Sequence, residues 1–202
     1  LGIRMIGDIP IYVAMDSADA WANPSLFQLD EKNVPYAVAG CPPDGFSATG
    51  QLWGNPLYRW EYHRQTGYEW WLQRLSHCFK LYDAVRIDHF RGFDQYYSIP
   101  YGAETAATGH WEQGPGIDLF NRVRQVLGEK EVIAEDLGYV TDSVRKLVHD
   151  SGFPGMKVLE FAFDSRDSGC ASDYLPHNYP ENSVAYTGTH DNETLAGWFD
   201  SI

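Results

Sequence analysis

The chain has 202 residues, 44% hydrophobic and 15% aromatic, and its 15 Lys+Arg against 28 Asp+Glu leave a formal charge of −13. That much apolar material excludes a disordered tail and is enough for the core of one domain. The acidic balance repels phosphate backbones, only Arg122, Arg124 and Lys130 come near to a basic cluster, and no apolar run approaches the roughly 20 residues of a membrane helix, so neither nucleic acid nor a membrane is expected as a partner.

In chain order, the first expected strand is Met5–Val13, an apolar run with Asp8 inside it. Ala22–Tyr58 follows, long and rich in Pro, Gly and aromatics (CPPDGFSATGQLWGNPLY) and without helical period. An ordered loop of that kind is more often functional than idle. Tyr68–Leu81 then places Trp71, Leu72, Leu75 and Phe79 on one helical face, with Trp70 and Trp71 assigned to the core or the helix surface. Ala84–Ile87 is the next strand, and Phe90–Gly116 a second loop excursion. A helix over Asp118–Leu127 groups Leu119, Val123, Val126 and Leu127; the strand Val132–Ala134 comes after it. Thr141–Ser151 starts on an N-cap, repeats Val144, Leu147 and Val148, and stops at Gly152. Lys157–Phe163 and Val184–Thr187 complete the strands. Continuous rather than alternating apolarity suits strands buried on both faces of a parallel sheet, and strands alternating with helices are the signature of βαβ units.

Cys41, Cys78 and Cys170 are odd in number and lack CxxC spacing, which suits a reducing compartment and neither a disulfide framework nor a zinc site. The opening LGIRMIGDIPIYV has no basic n-region and no cleavage site, so it does not read as a signal peptide. The sequon Asn192-Glu193-Thr194 lies beside the acids discussed next, where a glycan would block them; a cytoplasmic protein is expected.

The acids fall at strand ends. Ala84–Ile87 runs into Asp88-His89, Val132–Ala134 into Glu135-Asp136, and Val184–Thr187 through Gly188-Thr189 into His190-Asp191-Asn192. A single acid after a buried strand is commonly the N-cap of the next helix, and Asp136 and Asp142 are read that way. His190 alone reads as a structural histidine, and its place directly before Asp191 makes a functional role an equal alternative. Three acids after three strands are different, because in a (β/α)8 barrel the C-terminal strand ends converge on the face that carries the active site. Convergent carboxylates in a cleft suit glycosidic chemistry, one as acid/base and another as nucleophile.

Five stretches resemble one family in order and spacing. Val85–Gly92 (VRIDHFRG), Ile133–Gly138 (IAEDLG), Tyr186–Asn192 (YTGTHDN) and Gly7–Val13 (GDIPIYV) are similar to the short motifs of the α-amylase clan. Pro42–Ser47 (PPDGFS) with Gly50–Tyr58 (GQLWGNPLY) resembles its 4-α-glucanotransferase branch, glycoside hydrolase family 77. The resemblance implies a partial (β/α)8 barrel, strands third to seventh of eight, with residues 1–202 the central portion of one catalytic domain incomplete at both ends. It implies Asp88 as nucleophile, Glu135 as general acid/base and Asp191 as transition-state stabiliser. Arg86 would orient Asp88 and keep it ionised, Glu135 would have its pKa raised by burial among aromatics, and His190 and Asp8 would bind sugar hydroxyls. Asp44, Gln51 and Trp53 would belong to a loop covering the glucan, Trp53 offering a flat face to a pyranose ring; a core tryptophan is its alternative reading. Asn192 and Glu193 would support the site. The implied reaction moves α-1,4-glucan segments between maltooligosaccharides with retention and needs neither metal nor organic cofactor. An α-amylase-type hydrolase or a non-catalytic glucan-binding module are the alternatives.

Overall fold

The computed structural model describes residues 2–44, 47–138, 140–163 and 171–201; Gly45, Phe46 and Cys170 of the features above lie outside them. The chain opens with strand β1 (Ile6–Pro10) and helix α1 (Ala18–Ala22), then β2 (Ala37–Cys41), β3 (Gln51–Pro56), α2 (Trp60–Gln65) and α3 (Glu69–Leu81). After these come β4 (Ala84–Asp88), β5 (Gln95–Pro100), β6 (His110–Gln113), α4 (Ile117–Leu127), β7 (Val132–Ala134), α5 (Asp142–Ser151), β8 (Gly155–Val158), β9 (Ser183–Tyr186) and α6 (Leu195–Ser201). No helix among the described residues is long and apolar enough to cross a membrane.

β1, β4, β7, β8 and β9 pair in that order as a five-stranded parallel sheet, with no closure between β1 and β9. On its helix-covered face lie Ile9, Val85, Ile87, Val132 and Ala134, all buried. Trp71 and Leu75 of α3, Leu119, Phe120 and Val123 of α4, and Leu147 of α5 join the same core cluster, and α3–α4 and α4–α5 touch in succession. The helices form where the 3.6-residue period was read, α5 starting on Thr141, whose Oγ1 accepts from Val144 N–H, and ending at Gly152 in the left-handed region. Val126 is a correction: it is 47% exposed, and Phe120 takes its place on the buried stripe of α4.

The expectation of strands buried on both faces holds for β4 and β7 but not for β1, whose residues alternate between exposed and buried, nor for β9, none of whose residues is buried. β1 is also shorter than Met5–Val13. The strand expected over Lys157–Phe163 is Gly155–Val158, and Leu159–Phe163 is a 3-10 helix. Val158 pairs with Tyr186, the last residue of β9, and one further cross-bond, Glu160 N–H to Thr187 O at 3.1 Å, ties the 3-10 turn to the segment after β9.

The two excursions expected as loops hold a second sheet, antiparallel, in the order β3-β2-β5-β6. β2 from the first excursion pairs with β5 from the second, Gly40 opposite Tyr97 and Ala37 opposite Pro100. Tyr58, which follows β3, is fully buried against Phe27, Trp60 and Trp71, and its hydroxyl donates to Ile11 O at 2.7 Å. Asn55 Nδ2 likewise donates to Val13 O at 2.9 Å. The excursion is thereby fastened across the C-terminal end of β1.

Candidate active site

Side chains two apart on a strand share a face, and register partners in parallel strands do too. Asp8 is opposite Arg86 and Pro10 opposite Asp88, so Asp8, Arg86 and Asp88 all project from the face away from the helices. Arg86 is opposite Ile133, and Glu135 stands two residues further on. The alternation that exposes Ile6 and Asp8 is therefore what assembles the charged groups.

Arg86 is the buried centre of the group. Its Nη1 donates to both oxygens of Asp8 at 2.8 and 2.9 Å, its Nη2 lies 2.8 Å from Asp88 Oδ1, and its Nε points at Met156 Sδ at 3.2 Å. Burial works against the guanidinium charge, but the hydrogen-bonded Asp8 carboxylate, then Asp88 and Glu135, outweigh it and hold Arg86 above its ordinary pKa. Both acids are about half-exposed, so each keeps one side open to a ligand.

Glu135 follows β7, and main chain holds its carboxyl from two sides. Oε2 accepts from His89 N–H at 2.7 Å, and Oε1 from Leu137 N–H at 2.9 Å. Burial pushes its pKa up to about 7; the Leu137 N–H opposes this, Asp88 adds to it, and the His89 N–H and Arg86 oppose it. A carboxyl that divides between its protonated and ionised forms near neutrality can both give and take a proton. Asp136 and Asp142, read as N-caps, are corrected: Thr141 caps α5, Asp142 is the first residue of the helix, and Asp136 Oδ1 accepts from Met156 N–H at 2.8 Å, tying the end of β7 to β8.

A cleft of about 540 Å³ opens beside Asp88, lined also by His89, Trp53, Asn55, Tyr12 and Arg74. Trp53 is half-buried, packed on the core by one side, with its ring edge-on to His89 at 4.8 Å and 6.3 Å from Tyr12. It thus joins core and cleft, and its Nε1 donates to Gln51 Oε1 at 3.0 Å. Asp44 is exposed, its Oδ1 accepting from Ser47 N–H at 2.8 Å in a turn. Asp44 and Gln51 do not line the cleft itself.

His190 and Asp191 follow β9, two strands from β7. They are largely exposed, with His190 Nε2 3.6 Å from Asp191 Oδ2, and Asp191 N–H donates to Thr189 Oγ1 at 3.3 Å. Asn192 braces that loop, its Oδ1 accepting from Thr189 N–H and Oγ1 at 2.9 and 3.0 Å. Asp8, Arg86, Asp88 and Glu135 are brought together; His190 and Asp191 make their polar contacts within their own loop. Tyr12, Asn55, Arg74 and His89 had no assigned place in the cleft. His89 adjoins Asp88 in sequence, but the left-handed backbone that turns it to Glu135 (φ 52°, ψ 48°) has no signal in a single sequence.

A family profile described as 4-alpha-glucanotransferase (glycoside hydrolase family 77) matches residues 1–201. The 4-alpha-glucanotransferase of Streptococcus pneumoniae is 57% identical over 197 residues, which cover 98% of this chain and 38% of the relative. That of Clostridium butyricum is 54% identical over 199 residues, 98% of this chain and 40% of the relative. Among solved structures, the amylomaltase from Streptococcus agalactiae in complex with acarbose superposes with a TM-score of 0.92 at 48% identity, covering 98% of this chain and 40% of that one. The chain therefore spans about 40% of the length of the relatives it matches.

Proposed function

Since the chain belongs to the 4-alpha-glucanotransferase family, we propose that it is the central part of a retaining glucan-transferring enzyme. Its parallel strands are the third to seventh of a (β/α)8 barrel whose C-terminal strand ends carry the site. Glu135, protonated, donates to the glycosidic oxygen while an oxygen of Asp88 attacks the anomeric carbon, and the leaving glucan departs with the proton. The covalent glycosyl-enzyme is opened by the 4-hydroxyl of an acceptor glucose or glucan, whose proton returns to Glu135. Two inversions leave the configuration retained.

Arg86 fixes Asp88 for in-line attack. Asp191 stabilises the positive charge that develops on the sugar, and Asp8 and His190 bind hydroxyls of the ring being transferred. Trp53, with Asp44 and Gln51 in the same segment, covers the bound glucan and keeps water out, so that a sugar hydroxyl wins over hydrolysis.

The observation that carries this reading is the pairing of unlike carboxyls. Asp88 sits on the Arg86 guanidinium, while Glu135 is held by main-chain N–H groups with its pKa lifted to about 7. The test is to incubate the full-length enzyme with maltotriose. Glucose plus longer oligomers is the expected result; new reducing ends without longer products would make it a hydrolase, and unchanged maltotriose a binding module.

A further inference from the structure

His89 touches the acid/base carboxyl, the aromatic cover and the cleft together. Its main-chain N–H donates to Glu135 Oε2 at 2.7 Å. Its ring meets Trp53 edge-on at 4.8 Å, the ring planes 87° apart, and lines the cleft beside Asp88. Its backbone is left-handed (φ 52°, ψ 48°), which is strained for a residue with a Cβ and persists only where surrounding contacts over-determine it. Those contacts are present: His89 O accepts from Gly92 N–H at 3.0 Å, and a Cβ on Gly92 would come within 3.3 Å of His89 Cδ2, so the ring lies flush on that glycine.

The ring also has an unmet need. Nε2 is buried and has no hydrogen-bond partner among the described residues, a condition that is unfavourable unless a ligand fills it. Burial, and then the nearby Arg91 cation, push the imidazole down to about 3, so at neutral pH it carries one N–H and one lone pair. A ligand hydroxyl both donates and accepts, and so satisfies Nε2 in either tautomer; a carboxylate or an alkyl group does not.

From this geometry we infer that His89 is a substrate-contacting and positioning residue: its left-handed main chain aims the Glu135 carboxyl, while its ring props Trp53 and offers Nε2 to a hydroxyl of the bound glucan. This rests on Glu135 being the acid/base. The two halves separate by substitution. Asparagine tolerates the left-handed region, so His89→Asn keeps the N–H on Glu135 and removes the ring. Valine does not tolerate it, so His89→Val moves the N–H.

The experiment is steady-state transfer from maltotriose by the full-length enzyme across pH. His89→Asn should raise KM about tenfold, the worth of roughly 1.4 kcal/mol, while the basic limb of the pH profile stays where the wild type has it. His89→Val should lower kcat and move that limb upward, because an N–H that favoured the carboxylate form is gone. If the Val variant does not fold, Ala, which also disfavours the left-handed region, replaces it. A wild-type KM in His89→Asn, or an unmoved limb in the Val or Ala variant, would overturn the inference. Glu135→Gln in the same assay separates the two possible failures. If the basic limb survives in Glu135→Gln, the acid/base assignment is wrong; if that limb is lost and the His89 variants match wild type, only the role of His89 falls.

Discussion

Nη2 of Arg86 lies 2.8 Å from Oδ1 of Asp88, two residues further along the same strand. A guanidinium can serve Asp8 and Asp88 at once because its donors are fixed in a planar fork; an ammonium is a single point of charge. Arg86→Lys is therefore expected to keep a cation near both acids but lose their common geometry. The expected outcome is a fall in kcat of about 10²-fold, the scale of a misplacement near 1 Å, with KM little changed. Transfer kinetics on maltotriose check it, and an unaltered kcat would refute the positioning role.

The Glu135 carboxyl makes both activity and stability depend on pH. Its folded pKa of about 7 exceeds the ordinary 4.5, so between those values the folded protein holds a proton that the unfolded chain has released. Stability from this group is fully present below 4.5 and is lost as pH rises through about 7. Urea denaturation of the full-length enzyme is expected to show Glu135→Gln gaining on wild type as pH rises, by on the order of 1–3 kcal/mol. The variant should still form the glycosyl-enzyme from an activated donor that needs no protonated leaving group. Equal loss of activity on activated and natural donors would contradict the assignment.

Trp53 joins core to cleft, so its truncation should be felt in binding and in product partition. Trp53→Ala is expected to weaken glucan affinity about tenfold and to shift products toward hydrolysis, since a ring-sized platform is lost and water enters. Trp53→Phe should restore part of both. A wild-type ratio of longer oligomers to reducing ends in Trp53→Ala would leave the residue with a packing role only.

Among the described residues, β7 and β8 pair through Ala134 and Gly155 alone. A Cβ on Gly155 would lie 2.6 Å from Asp136 Oδ2, and Asp136 cannot retreat without dropping its bond to Met156 N–H. Gly155→Ala should cost roughly 1–3 kcal/mol of stability, the usual scale of overpacking. Chemical denaturation of the full-length enzyme measures it, and a cost below about 0.5 kcal/mol, ordinary for a surface change, would show that the strand pair is not so constrained.

β1 and β9 are the edges of the parallel sheet, each paired with a strand on one side only among the described residues, and Met5 and Ile6 are more than half exposed. Unpaired edges and apolar surface favour association. The 202-residue chain expressed by itself is therefore expected to aggregate and to show no transfer, although it carries Asp88, Glu135 and Asp191. A soluble monomer with a cooperative melt and activity on maltotriose would be the contrary result.

Local pattern reached the parallel strands, the three longer helices and the acids at strand ends, because each is encoded by contiguous residues: an apolar run, a 3.6-residue stripe, a cap. It did not reach β2, β3, β5 and β6. The sheet is joined through β2 and β5, whose partners lie about sixty positions apart, as Gly40 with Tyr97, and neither excursion alternates clearly enough for its own hairpin, β2 with β3 or β5 with β6, to be read. The short helices α1 and α2 were missed for a related reason: at five and six residues they are held by tertiary packing rather than by propensity.

The chemistry divides in the same way. That Asp88 and Glu135 end buried strands, and that Arg86 stands two residues before Asp88, follows from the order of residues, since side chains two apart on a strand share a face. Only the folded chain decided that Asp8 and Asp88 share one guanidinium, that Asp136 ties β7 to β8 instead of capping a helix, and that His89 turns its N–H onto Glu135. Each of these depends on register between strands or on a positive φ. Both are set by packing across the sheet and by the contacts that hold a strained backbone in place, and neither is carried by the residues of a single segment.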